Sequence, residues 1–556
     1  MTTAIAIIPA RGGSKGIPRK SIRPVAGRPM IAWAMEACQR CARFTRIVVS
    51  TDDPEIALLS ERLGAQVLMR PMELATDTAT LDPVVVQAVS AAEAKFEERY
   101  DLVFTVQPTS PLVEPGDFER AFEMFGADPA LETVLSVVDD RHLSWTMRGG
   151  RPVPTYTKRV NRQELAPNFR ETGAVIACRR AQLERGTRIG ERVALLEMPP
   201  MRAFDIDSVA DLAVCEAMLL RKRIVFAVIG YPEVGLGHAS RATMLAHELV
   251  RHDLRFVCES RSGLAAEYIG RQNWNVEIAP QGGLLRAVLA HRPHLVINDL
   301  LDTDAGYVMA LKDAGCRVAN FEDLGDGAMH ADLVVNALYP YGGDPAHVLV
   351  GPRWFCLRDE FLYTGRSAPR QRVERLLVTF GGVDEGNLTV RVIRLLAPLA
   401  AARGILLDAV VGAGYAHGDA LAHLVSELQE AWPALRIEVT GATGRISDHM
   451  CDADLAVTSG GRTVFELASL AVPTVVICQN QREATHTFAV AGYHVVNLGW
   501  RGTVGDAEIV AAVTRLVDDG ALRERMRQAA FGIDLTLGKR RVVGRLLGLL
   551  EDSRID

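Results

Sequence analysis

Three times in this chain an apolar run of strand length ends directly in a glycine-bearing loop. Ile5-Ala6-Ile7-Ile8-Pro9 leads into Ala10–Lys20, Ile224–Ile229 into Gly230–His238, and Leu376–Phe380 into Gly381-Gly382. Between these starts, strand-like runs alternate with amphipathic helical stretches, which predicts α/β layers built on parallel sheets. Ligands of such open sheets bind beyond the carboxyl ends of the strands, where all three glycine loops fall. At 556 residues the chain exceeds one ordinary core. The expected divisions are 1–222, 223–372 and 373–556. Arg221-Lys222-Arg223 breaks a helical pattern before the second start, and the polar stretch Thr364–Arg372 precedes the third.

A net charge of −6 argues against a nucleic-acid-coating surface, so clustered cations read as a site rather than a field. With 48% hydrophobic and 23% charged residues the composition is globular, and no apolar run reaches membrane-spanning length. The N-terminal apolar run is strand-sized and lacks a basic stretch before it, so it does not read as a secretion signal. Nine cysteines without framework spacing point to a reducing, cytoplasmic setting. Cys38 and Cys41 form a lone C-x-x-C in a helical stretch, which reads as packing.

The Ala10–Lys20 loop holds three glycines and four cations, Arg11, Lys15, Arg19 and Lys20. Glycines let backbone N–H groups approach an anion closely, and the cations neutralise it. The Gly-Lys-Ser/Thr ending of a P-loop and the Gly-x-Gly-x-x-Gly of a dinucleotide site are both missing; the loop reads as a nucleoside triphosphate site, the bland alternative being a solvated basic loop. Nucleotidyl transfer, the reaction that the resemblance given below implies, needs an oxygen nucleophile in line with the α-phosphorus and neutralisation of the departing pyrophosphate. Arg11 and Lys20, with Lys15, are expected to supply that charge, and Gly12 and Gly13 the close approach. A divalent metal bridging phosphate oxygens takes carboxylates. Asp205 and Asp207 suit Mg²⁺ or Mn²⁺, because strand alternation would put both on one face.

Arg11-Gly12-Gly13-Ser14-Lys15-Gly16-Ile17-Pro18-Arg19-Lys20 resembles the signature of the cytidylyltransferases that activate sialic-acid-like sugars with CTP. Ser50-Thr51-Asp52, Leu74–Thr78, Gln107–Leu112, Arg162–Leu165 and Phe204–Asp207 follow in that family's order, over about the first 220 residues. Ser21 stands where the family usually has asparagine. The resemblance implies that Thr76, Asp77 and Thr78 line the cytidine, and that Gln107 lies near the acceptor sugar. It also puts Arg162, Gln163 and a Glu171-Thr172-Gly173 turn on the sugar side, and the metal carboxylates on Asp205 and Asp207.

Farther along, Gly235-Leu236-Gly237-His238 opens a helix after a strand, with Arg241 one turn on. A histidine at such a start titrates near neutrality and can accept a proton from an attacking hydroxyl or water. Ser459-Gly460-Gly461-Arg462-Thr463 repeats the pattern: Gly460, Gly461 and Thr463 would hold a diphosphate, and Glu466 would accept from ribose hydroxyls. Together with Asn298-Asp299-Leu300, Thr379–Gly382, Asn387-Leu388-Thr389 and Asn480-Gln481, this region is similar to the UDP-sugar hydrolases of the pseudaminic acid pathway. It is more distantly similar to the GT-B glycosyltransferases that build peptidoglycan precursors. The resemblance implies His238 as the base that activates water, with Arg241, Asn480 and Gln481 toward the substrate.

The fold class expected is therefore α/β, a Rossmann-like nucleotidyltransferase domain followed by a two-lobed GT-B-like region. The activities implied are CMP transfer from CTP to a pseudaminic or legionaminic type of acid, and hydrolysis of a UDP-linked amino-deoxy sugar. The rival readings for the second region are a glycosyltransferase and a catalytically silent binding module. Expected partners are CTP, a nonulosonate and a UDP-sugar, with no nucleic acid and no membrane, and a homodimer is admitted.

Overall fold

The computed structural model describes residues 2–13, 16–76, 78–343, 345–366, 368–490 and 494–551. The chain divides into two units, Met1–Arg221 and Lys222–Asp556. In the first, strand β1 (Ala4–Pro9) pairs in parallel with β2 (Arg46–Thr51) on one side. On its other side it pairs in parallel with a strand at Leu102–Thr105. With β3 (Gln66–Met69), β4 (that Leu102–Thr105 strand), β5 (Thr133–Asp139), β6 (Phe169–Arg179) and β7 (Val193–Glu197), the sheet order is β7-β5-β6-β4-β1-β2-β3. Alternation along β1 decides which side chain serves which face. Ala4, Ala6 and Ile8 join a core with Phe104, Phe118 and Phe122. Ile5 and Ile7 pack with Val85, Ala88 and Val89 of the helix Leu81–Phe96.

One strand departs from the parallel layering that the alternation predicts: β6 runs antiparallel to both β4 and β5. Its register shifts between Glu171 and Ile176, and Gly173 there has φ +69°. Glu171-Thr172-Gly173 is thus a bulge inside a long strand rather than a turn. Bulges re-aim side chains at sheet ends and beside sites.

The second unit contains two further sheets in which every strand pair is parallel. The first has β8 (Arg223–Val228), β9 (Asp253–Glu259), β10 (Val276–Ala279), β11 (Leu295–Asp299), β12 (Arg317–Phe321), β13 (Leu333–Asn336) and β14 (Val348–Val350). Their order is β10-β9-β8-β11-β12-β13-β14. The other has β15 (Arg375–Thr379), β16 (Leu406–Val410), β17 (Arg436–Thr440), β18 (Leu455–Thr458), β19 (Thr474–Cys478) and β20 (Val495–Trp500), ordered β17-β16-β15-β18-β19-β20. Both are doubly wound: the chain builds outward from the first strand, returns, and builds the other way. The crevice lies at the switch between the first and fourth strands. In one lobe the loops after β8 and β11 open there, and in the other those after β15 and β18.

The division at 373 needs a correction. The helix Gly538–Glu551 returns to the first lobe, where Val542, Leu546 and Leu550 share a core with Ile224, Phe226 and Leu245. The four-residue spacing puts those three side chains on one helix face, and that stripe is what the first lobe buries. All nine cysteines are free thiols; Cys38 and Cys41 are buried on and just past the helix Met30–Arg40, and burial raises the pKa of both. Among the described residues no helix is long and apolar enough to cross a membrane.

Candidate active sites

In the first unit a cavity of about 270 Å³ opens beyond β1, walled by Arg11, Gly13, Lys20, Thr76, Gln107 and Thr109 among others. Arg11 Nη1 donates to the Thr76 carbonyl at 3.1 Å, which ties the basic loop to the segment opposite. The Gly12 amide donates to Asp52 Oδ1 at 3.2 Å. A Cβ on Gly12 would stand 2.6 Å from Asp53 Oδ2, so this glycine lets the loop lie on the end of β2. The Thr76 and Thr78 hydroxyls are 3.3 Å apart. Lys15 and Asp77 lie outside the described residues.

Asp205 and Asp207 do not sit on a strand. Their segment is irregular, held between the 3₁₀ turn Pro200–Arg202 and the helix Val209–Leu219, which Ser208 caps. Alternation on one strand face is therefore replaced by unequal burial: Asp205 is half-buried and the Asp207 side chain is 79% exposed. Other contacts join the pair to the loop. Lys20 Nζ donates to Asp207 Oδ1 at 2.9 Å. A Cβ on Gly173 would stand 2.6 Å from Gln107 Nε2 and 3.5 Å from Asp205 Oδ2, so the bulge of β6 brings Gln107 beside Asp205. Asp205 Oδ1 is buried without a hydrogen-bond partner. Burial, foremost, raises its pKa; the neighbouring Thr109 hydroxyl opposes this, the charge of Asp207 adds to it and Lys20 opposes it. An orphaned carboxylate oxygen next to a second carboxylate fits a hard divalent cation. Among the described residues no cluster of three or more acidic, histidine or cysteine groups forms a metal site, so phosphate oxygens and water would complete the shell.

Arg162 and Gln163 lie on an exposed 3₁₀ turn, Arg162–Glu164, outside the cavity wall. The wall instead includes an arginine that motif reading missed. Arg70 is buried, donating through Nη2 to the Ser50 carbonyl at 2.8 Å and through Nε to Ser50 Oγ at 3.2 Å. Its signal was positional: it is the first residue past the carboxyl end of β3.

In the second unit a cleft of about 570 Å³ lies between the loops of the two lobes. Gly235, at φ +81°, turns the chain into the helix Gly237–Glu248, and His238 stands in its first turn. His238 Nδ1 is 2.6 Å from Asp299 Oδ1 at the end of β11. Burial raises the Asp299 pKa, but the charge and hydrogen bonds of Arg241, then of His238, outweigh it and hold the carboxyl down at about 2. An ionised Asp299 accepts the Nδ1 proton, which leaves Nε2 as the basic nitrogen.

Arg241 also lines the cleft, behind His238, with its guanidinium engaged by carboxylates. It is buried and donates to Asp299 through Nε (2.8 Å) and Nη2 (2.6 Å), and to Glu322 through Nη1 (2.8 Å). It holds Asp299 behind the histidine.

The second lobe corrects three further assignments. Gly461 and Thr463 stand on the cleft wall, but Gly460 does not. A Cβ on Gly460 would stand 2.8 Å from Cys478 Sγ, and its carbonyl accepts from His486 Nδ1 at 2.8 Å. Packing, rather than a diphosphate, requires that glycine. Glu466 is buried off the wall with Oε1 taken by Arg358 Nε at 2.8 Å, so the ribose role is not supported. Asn480 is on the wall, its Oδ1 accepting from the Glu483 amide at 2.9 Å, whereas Gln481 is exposed and off it. Two neighbours went unread in the sequence. Arg482 joins the lobes, donating to both Asp302 oxygens at 2.9 Å and to the Tyr339 hydroxyl at 2.7 Å. Burial raises the Glu483 carboxyl to about 7.

Fold and sites define a chain of two α/β units, one with a basic loop beside paired carboxylates and one with a histidine–aspartate pair in an interlobe cleft. Residues 5–148 match the family model described as Cytidylyltransferase. N-acylneuraminate cytidylyltransferase of Oncorhynchus mykiss is 34% identical over 224 residues, covering 39% of this chain and 50% of that protein. Post-translational flagellin modification protein B of Campylobacter coli is 28% identical over 230 residues, covering 40% and 98%. Pseudaminic acid cytidylyltransferase of Campylobacter jejuni (serotype O:23/36, strain 81-176) is 36% identical over 122 residues, covering 22% and 52%. The chain spans about half the length of the two cytidylyltransferases and nearly all of the flagellin modification protein. A crystal structure of Acinetobacter baumannii MurG covers 59% of this chain and 99% of its own at 15% identity and a TM-score of 0.45.

Proposed function

We propose that the first unit transfers CMP from CTP to a nonulosonate, releasing pyrophosphate. The observation that carries this is the basic loop brought against Gln107 and the Asp205–Asp207 pair, within a segment similar to cytidylyltransferases. The acceptor hydroxyl gives up its proton to solvent and forms the new bond to the α-phosphorus, while the bond to the β-phosphate oxygen breaks and its electron pair leaves with pyrophosphate. Arg11 and Lys20 balance that charge. Asp205 and Asp207 would hold Mg²⁺ or Mn²⁺, which when bound supplies further charge neutralisation on the phosphates. A pseudaminic type of acid is the leading acceptor. Incubating the protein with CTP, ATP or UTP and a panel of nonulosonates, with products read by mass spectrometry, tests the reading. A CMP-sugar from CTP alone is expected; indiscriminate use of nucleotides, or no product, overturns it.

We propose further that the second unit hydrolyses a UDP-linked amino sugar, with His238 Nε2 taking the proton of the attacking water. The buried Asp299 on Nδ1 supports this role. In ¹⁸O-water, label in the free sugar is expected. Sugar released only onto an added acceptor would make the unit a glycosyltransferase.

A further inference from the structure

The cleft of the second unit contains a cation with no ion-pair partner among the described residues. Arg462 lies at the start of the helix Thr463–Ser469 and lines the cleft with Gly237 and His238. Its Nη2 donates to the Cys356 carbonyl at 2.9 Å, and its guanidinium lies 4.7 Å over the Phe355 ring. Nη1 is buried and has no hydrogen-bond partner. Arg462 Cδ packs so near the opposite lobe that a Cβ on Gly237 would stand 3.1 Å from it.

The neighbouring charges are engaged elsewhere. Asp299 and Glu322 hold Arg241, Glu466 holds Arg358, and Asp302 holds Arg482. Among the described residues no carboxylate stands within ion-pair distance of Arg462. A guanidinium stays charged at any working pH, and burying one with an idle N–H and no counter-ion is costly. Burial, then the charge of Arg241, lowers the pKa of Arg462 despite the opposing pull of the more distant Glu466 and Asp299. An anion arriving beside His238 would remove that cost.

We infer that Arg462 binds an oxyanion of the cleft ligand, a phosphate oxygen of a nucleoside diphosphate group, next to His238. The inference rests on the nucleotide-sugar reading of this unit and deepens it. Hydrolysis there forms a bond from water to the anomeric carbon, His238 Nε2 takes the water proton, and the bond from that carbon to the β-phosphate oxygen breaks. The bonding pair then stays on the diphosphate, whose added negative charge falls beside Arg462. A charge-assisted guanidinium–phosphate contact is stronger than a neutral hydrogen bond.

The test uses full-length protein carrying Lys20→Gln, which weakens the anion loop of the first unit, titrated with UDP, uridine and inorganic pyrophosphate. Adding Arg462→Gln is expected to weaken UDP roughly 10- to 100-fold and leave uridine within about twofold, with Arg462→Lys recovering part of the loss. Arg462→Met, similar in volume and uncharged, is read alongside, and melting curves confirm that each variant is folded. Unchanged UDP affinity in both uncharged variants overturns the inference, as does an equal loss for UDP and uridine. Arg462-dependent binding of pyrophosphate without any UDP binding would uphold the anion subsite and instead overturn the nucleotide reading of the unit.

Discussion

At the scale of single residues, His238 and Asp299 are one device with separable consequences. His238→Ala removes the base and leaves Asp299 on Arg241, so we expect the release of free sugar to fall by roughly 10²–10⁴ with little change in melting temperature. Asp299→Asn should lower both. It frees the histidine tautomer and leaves Arg241, buried and doubly bonded to that carboxylate, with Glu322 alone. Breaking a buried ion pair from one side costs about 3–5 kcal/mol. Turnover and calorimetric melting of the two variants check this; equal melting would make Asp299 only an orienting group. Much of this site was legible. Gly235-x-Gly237-His238 after a strand located the histidine, and the basic loop located the first cavity. The pairings were not legible: Asp299 stood in a motif without a role, and Glu322 and Arg70 gain their meaning from strands that converge only in the folded sheet. Glu466 and Gly460 illustrate the reverse: motif chemistry fitted a ligand, and neighbours distant in sequence, Arg358 and Cys478, claimed them.

At the scale of elements, the bulge in β6 and the loop after β19 each concentrate a testable property. Gly173→Ala places a side chain at φ +69° and against Gln107. We expect CMP-sugar formation to drop by about tenfold or more, with the loss larger in KM for the sugar than for CTP. In the loop after β19, burial lowers His486 to about 4 and raises Glu483 to about 7. The unfolded values lie near 6.5 and 4.3. Between about 4.5 and 6.5 the unfolded state therefore binds more protons than folded His486, so this histidine makes stability fall as pH falls. Folded Glu483 binds more protons than the unfolded state there, so it acts in the opposite sense. His486→Gln should lessen the loss of stability on acidification over that window and Glu483→Gln should steepen it, as read from melting of the second unit against pH. The antiparallel course of β6 was hidden from the sequence because its apolar run fits either direction; direction is fixed by which neighbours accept its ladder.

At the scale of the whole molecule, each unit builds its own hydrophobic cores and has its own cavity. We expect His238→Ala to leave CMP-sugar formation intact. Asp207→Asn, or chelation of divalent metal, should abolish that reaction and spare sugar release, because the step proposed for the second unit draws on His238 and Asp299. Parallel assays of both products on the same preparations decide it; a shared loss would mean that the two reactions depend on each other. The helix Gly538–Glu551 carries a last consequence, for the order in which the protein is made. Because its Val542, Leu546 and Leu550 complete the core that begins at Ile224, a ribosome must deliver the far end of the chain before that lobe can close. The first unit emerges whole much earlier. Nascent chains should therefore carry an open apolar face behind a finished first unit until the helix Gly538–Glu551 has left the ribosome, which makes that lobe the natural client for a chaperone and the place where a premature stop does its damage.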